Sequence, residues 1–217
     1  RKTKKKIPFL YSSSDKAYGE LNKRREYRET DSLDATYPYD SSKSSSDLIC
    51  QSYSKIYNLK VAIVRCGNLF GPGDFNFRRI VPETIIRALQ NKRLIIRSSG
   101  KLVRDYLYIG DAVEAYILIL KQLSNKKSKN LLTYNVGSKF NLTVIQLVKK
   151  ILKFMNKENL QPKILNYSKS EIKVQKLNTN KIKKDLKWSQ KISMEVGINK
   201  TVSWYLKNFR YINNLSK

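Results

Sequence analysis

The chain has 217 residues, 41% of them hydrophobic, which is enough to bury a full core. Forty-four Lys and Arg against 17 Asp and Glu give a formal charge of +27, and there is no histidine at all. Imidazole chemistry and Cys/His zinc sites are therefore excluded, no metal is expected, and proton transfer falls to Tyr, Lys, Asp, Glu or Cys.

Two cysteines, Cys50 and Cys66, are too few for a disulfide framework and predict a reducing, cytoplasmic setting. No apolar run approaches the ~18 residues of a membrane span, and no signal peptide is visible. The positive charge suits nucleic acid, but the lysines are spread along the chain. The exceptions are "RKTKKK" at 1–6 and a patch at 181–187. Phosphate-bearing small molecules are the expected partners, with a basic polyanion-binding protein as the lesser alternative.

In chain order, residues 7–11 read as a short apolar strand, and "SSSDKAYG" (12–19) as a polar turn after it. Residues 20–38 are charged and turn-like up to Tyr37-Pro38, a start signal for the next element. A helix is predicted from Tyr39 to about Asn58, with Leu48, Ile49, Tyr53, Ile56 and Tyr57 as its apolar stripe. "KVAIVR" (60–65) has the continuous β-branched character of a buried parallel strand. "GNLFGPGD" (67–74) reads as a loop, and a helix with Ile85, Ile86 and Leu89 follows Pro82.

Further on, a strand is predicted at 94–97 and an extended stretch at 103–109. Asp111 is expected to be the N-cap of the next helix. Residues 131–137 read as a strand, Thr143 as the cap of a helix bearing Val144, Leu147, Val148 and Ile151, and 195–209 as an amphipathic helix. Strands alternating with helices imply a parallel α/β sheet.

Ligands of open α/β sheets bind beyond the carboxyl ends of the strands. Ser14, Asp15 and Lys16 follow the first strand, and Arg65 to Asp74 follow the second. Tyr39 and Lys43, four apart, share one helix face. A nearby ammonium lowers a phenol's pKa, and a phenolate is a competent base for an alcohol proton. Taken singly, each motif has an ordinary explanation: Tyr-x-x-x-Lys as a surface pair, "SSSD" as a turn or cap. Arg65 reads as a structural ion-pair residue and Cys66 as a small buried side chain.

The runs "FLYSSSDKAYG", "YPYDSSK", "VAIVRCGNLFGPGDFNFRRIVP", "VRDYLYIGDAVEAY" and "YNVGS" together resemble the extended short-chain dehydrogenase/reductase family. These are the NAD-dependent nucleotide-sugar epimerases and dehydratases. The resemblance implies a partial Rossmann-type parallel sheet over 1–73 and a smaller C-terminal α/β substrate lobe over 74–217. Segments at about 103–110 and 131–137 are expected to return to the main sheet. It implies NAD as cofactor, held by Tyr39 and Lys43, and a catalytic set of Ser14, Asp15, Lys16, Tyr39 and Lys43. Asn68, Arg79 and Arg104 would bind a nucleotide-diphosphate sugar. Arg104 could also serve structurally, paired with Asp105 or Asp111.

Epimerases of this family usually carry small or neutral residues where Asp15 and Lys16 stand, and 4,6-dehydratases carry an acid and a base. The Asp-Lys pair is most similar to the CDP-glucose type, with a 4-epimerase or a non-catalytic remnant as alternatives. The family's G-x-x-G-x-x-G loop would precede residue 7, and the chain opens on Arg1, so a C-terminal fragment is expected. Family members tend to form homodimers through the helix bearing Tyr39 and Lys43 and the helix before it.

Overall fold

A computed structural model describes residues 7–20, 25–167 and 171–215; the basic run at 1–6 lies outside them. Its centre is a three-stranded parallel sheet in the order β1 (Phe9–Ser14), β2 (Val61–Cys66), β6 (Leu131–Val136). The sequence explains the middle position of β2. All six of its residues are buried, as a strand covered on both faces requires.

One face of this sheet packs on α3 (Ile109–Ser124) and α5 (Asn180–Leu186), through Ala62, Val64, Leu132, Tyr134, Ala112, Ile119 and Ile182. The other lies under α1 (Pro38–Tyr57). Pro38 occupies the first turn of α1, and Asn58, with φ of 55°, ends it in the left-handed region.

The second part of the molecule is mainly helical. A small sheet of β3 (Asn68–Phe70), β5 (Val103–Tyr108) and β7 (Asn141–Thr143) supports α2 (Ile80–Leu89), α4 (Val144–Phe154), α6 (Met194–Lys207) and α7 (Phe209–Leu215). Phe70, Ile85, Tyr106, Leu147, Ile151, Ile198 and Tyr205 form their common core. A two-stranded ribbon, β4 (Ile95–Ile96) with β8 (Lys163–Ile164), adjoins it. Thr143 caps α4 as expected, in a reciprocal capping box with Gln146.

Several elements differ from expectation. The first strand includes the serines, because parallel pairing with β2 continues to Ser14 opposite Cys66. "DKAY" is then a turn of 3-10 helix capped by the Ser14 hydroxyl. The stretch 67–74 is not all loop, since Asn68–Phe70 pairs with β5. The segment 103–110 does not return to the main sheet; β5 pairs with β3 and β7 instead. α3 begins after Tyr108, so Asp111 is inside its first turn, where the carboxylate accepts from the Lys191 and Ile192 amides.

The largest difference is α1. Its apolar stripe of Leu48, Ile49, Tyr53, Ile56 and Tyr57 faces outward, and Ile56 is 72% exposed. The face against the sheet carries Asp40, Ser44, Asp47 and Ser54. The cause is Arg65, which brings a guanidinium up from β2 and demands acceptors above it. Asp47 supplies them at 2.9 and 3.1 Å. Arg65 also stacks on the Tyr18 ring, 4.7 Å away, so its structural role stands.

Candidate active site

Strand register sets the site. Ser14, Cys66 and Val136 lie abreast at the carboxyl ends of β1, β2 and β6. Asp15, Gly67 and Gly137 come one step later on that edge. The 3-10 turn packs against α1, which delivers Tyr39 and Lys43 from its first two turns.

Ser14 donates its hydroxyl to Asp15 Oδ1 at 3.0 Å and accepts from the Lys16 amide at 3.2 Å. Asp15 is 2% exposed, and its Oδ2 has no hydrogen-bond partner among the described residues. Burial pushes its carboxyl up to about 6, against the pull of Ser14, Lys16 and Arg104. Such a group can hold a proton near neutral pH.

Lys16 is partly exposed, its ammonium 3.9 Å from Asp40 Oδ1 and 6.0 Å from the Tyr39 ring centroid. Lys43 stands at 6.0 Å from the same ring and donates to the Ser12 carbonyl at 3.0 Å. Tyr39 is thus flanked by two ammonium groups. Its phenol is nevertheless raised, first by burial and then by the Asp15 charge, while Arg79 opposes. The expected lowering by Lys43 is not met here, because burial and the neighbouring Asp15 charge push the phenol the other way.

The three residues expected at the diphosphate divide. Arg79 reaches the site region, bonded to Asp74 at 3.0 Å and the Leu69 carbonyl at 2.7 Å, and lines a cavity of about 130 Å³ with Asn68 and Tyr106. The Asn68 amide nitrogen is buried there without a partner among the described residues, a donor that can meet a ligand. Arg104 is buried. It donates to the Val103 and Ile172 carbonyls and pairs with Glu171 at 3.1 Å, not with Asp105 or Asp111. Its charge still acts on both Asp15 and Asp40.

Sequence reasoning missed Asp40 and Asp105. Asp40 follows Tyr39, 1% exposed, with one oxygen towards Lys16 and the other unpartnered. An acid in a helix's first turn is ordinary, and only its burial distinguishes it. Cys66, also buried, bonds the Tyr116 hydroxyl at 3.2 Å and has its thiol pushed up to about 12 by burial. It is inert as a nucleophile, as its small-hydrophobe reading implied.

The NAD dependent epimerase/dehydratase family matches residues 1–137. The chain belongs to that family. Human dTDP-D-glucose 4,6-dehydratase is 32% identical to it over 218 residues, 96% of this chain and 59% of that protein. The crystal structure of dTDP-glucose 4,6-dehydratase from Bacillus anthracis in complex with NAD superposes with a TM-score of 0.86 at 29% identity, over 96% of this chain and 64% of that one. UDP-glucose 4-epimerase from Thermotoga maritima gives 0.83, also at 29%, over 94% and 64%. This epimerase/dehydratase chain therefore spans about six-tenths of its relatives' length. Its α/β fold and parallel sheet are theirs, and no helix among the described residues is long and apolar enough to cross a membrane.

Proposed function

We propose that the protein acts as an NAD-dependent nucleotide-sugar 4,6-dehydratase, a lyase. The observation that carries this is Asp15 next to Lys16: a buried acid able to hold a proton, and a partly exposed amine, at the carboxyl edge beside Tyr39. An epimerase has no step for either. NAD fits the Tyr39 neighbourhood, where a half-exposed phenol stands beside the Lys43 ammonium, which can take ribose oxygens. When bound, it supplies the hydride acceptor for C4 and the hydride donor for C6.

The chain's own residues supply the proton transfers. Tyr39 removes the C4 hydroxyl proton, and Ser14 hydrogen-bonds the same oxygen. Oxidation at C4 acidifies C5, and Lys16 is the base that takes its proton. Asp15 gives its proton to the departing C6 hydroxyl, which leaves as water. Lys43 orients the cofactor's ribose, and Asn68 and Arg79 meet the sugar nucleotide's diphosphate. Arg104 acts on this site through its charge.

Lysine at the base position favours CDP-glucose as substrate. A second reading, dTDP-glucose, is favoured by the names of the relatives. Incubation of the protein from its full reading frame with NAD and CDP-, dTDP-, GDP- or UDP-glucose distinguishes them. Mass loss of one water with CDP-glucose alone supports the first, and with dTDP-glucose alone the second. Epimerised product without water loss removes dehydration altogether. We also place a homodimer contact on the outward apolar stripe of α1, of which Leu48, Ile49, Tyr53 and Ile56 are each at least half exposed.

A further inference from the structure

Two buried acids of the carboxyl edge have no part in the chemistry above. Asp105, on β5, accepts from the Ser138 amide at 2.7 Å and is packed against Gly67 and Gly137. Asp40 instead meets the proposed base, with its Oδ1 3.9 Å from the Lys16 ammonium. An acid in the first turn of a helix ordinarily serves the helix dipole from the surface. The Asp40 side chain is only 2% exposed, on the face of α1 turned to the sheet. Burying a carboxylate is costly unless a cation pairs with it. Arg104 is held by Glu171 and two carbonyls, so the cation beside Asp40 is Lys16.

Lys16 in turn needs holding. Its stem is long and flexible, its side chain is 31% exposed, and it comes from the 3-10 turn rather than from α1. Among the described residues its amine makes no hydrogen bond and no second ion pair. Asp40 and the Tyr39 ring, 6.0 Å from the nitrogen, are what bound its position. Tyr39 and Asp40 are consecutive residues in the first turn of α1. One stretch of helix therefore carries the phenol and, through the carboxylate, the end of Lys16. The chemistry asks for such a link. The C4 hydroxyl proton and the C5 proton leave adjacent carbons, so their two acceptors must keep a fixed separation.

We propose that Asp40 is a positioning residue for Lys16, its carboxylate holding the amine on the Tyr39 turn where the C5 proton is taken. At 3.9 Å the pair is longer than a hydrogen bond, so the carboxylate restrains the amine without occupying it. The placement is a property of the chain, and its catalytic use rests on the dehydratase function.

Two measurements on the protein from its full reading frame test this. The first is relaxation of 13C at the lysine Cε without substrate, the Lys16 signal being assigned by its loss in Lys16→Met. Lys16 should be restrained in the wild type and move like an exposed surface lysine in Asp40→Asn. The second is turnover with NAD and the preferred sugar nucleotide in deuterated water. Asp40→Asn should reduce the cofactor within about twofold of the wild-type rate, while deuterium incorporation at C5 and water loss slow about tenfold to a hundredfold. A merely structural Asp40 would slow both steps together or neither. Should Asp40→Asn not fold, Asp40→Ser is read in the same way. Unchanged Lys16 relaxation, or equal effects on the two steps, overturns the proposal. A wild type that releases no water from any sugar nucleotide would instead overturn the dehydratase function and the catalytic use with it. The relaxation measurement alone would then decide the placement.

Discussion

Asp15, Asp40, Asp47 and Asp105, all buried near the main sheet, fall into two regions of different character. Under the middle of α1, Asp47 has every oxygen occupied: two bonds from Arg65, one from Ser13 and one from Gln51. At the carboxyl edge, Asp15, Asp40 and Asp105 each keep one buried oxygen without a partner among the described residues. A saturated carboxylate is a fastening between helix and strand. An unsaturated one costs free energy in the folded protein, as is typical where acid–base chemistry is done. The difference sets the acid that fastens helix to strand apart from those that keep an open oxygen.

The largest effect should come from breaking the saturated site. Asp47→Ala leaves the Arg65 guanidinium buried and unpaired, and should cost about 3–5 kcal/mol in urea unfolding. A loss below about 1 kcal/mol would put Asp47 in the other class.

At the edge the sign reverses with pH. A carboxyl whose folded pKa is raised, like Asp105 at about 7 against 3.8, binds more protons folded than unfolded between those values. Its contribution to stability is complete below pH 3.8 and is lost as pH rises through about 7. The urea midpoint of Asp105→Asn should therefore rise relative to wild type between about pH 5 and pH 8, by on the order of 2–4 kcal/mol in stability. Parallel pH profiles for the two proteins would contradict this.

Asp40→Asn is expected to change stability by no more than about 1 kcal/mol, since its ion pair with Lys16 is loose and Lys16 is partly exposed. Last, Ile56→Lys on the outward stripe of α1 should shift monomer stability by less than about 0.5 kcal/mol. Sedimentation of the same variant should show loss of the dimer if a second copy covers that stripe.

Much of this organisation was legible in the residues themselves. The β-branched run of β2 and the Thr143 cap are local signals, and the structure has both. The Ser14-Asp15-Lys16 and Tyr39/Lys43 groups could be placed because strand ends and helix starts follow from local pattern. Periodicity gave α1 as a helix but not its orientation, because amphipathicity alone does not say which face meets the sheet. That depended on Arg65, a cation in an otherwise apolar strand, and on its pairing with Asp47 eighteen positions earlier. Asp105 was hidden for a related reason: its place depends on a cross-sheet approach past Gly67 and Gly137, which no spacing in the sequence reveals. The engaged Arg104 and the committed Lys43 ammonium are likewise long-range contacts.

The account stands most directly on Lys16 as the base that takes the C5 proton. Turnover of the preferred sugar nucleotide in deuterated water, followed by mass spectrometry of the product and absorbance of the reduced cofactor, isolates that step. The wild type should incorporate solvent deuterium at C5 and lose water. Lys16→Met should still reduce the cofactor but incorporate no deuterium and release no water. Deuterium incorporation and water loss by Lys16→Met at the wild-type rate would contradict the account.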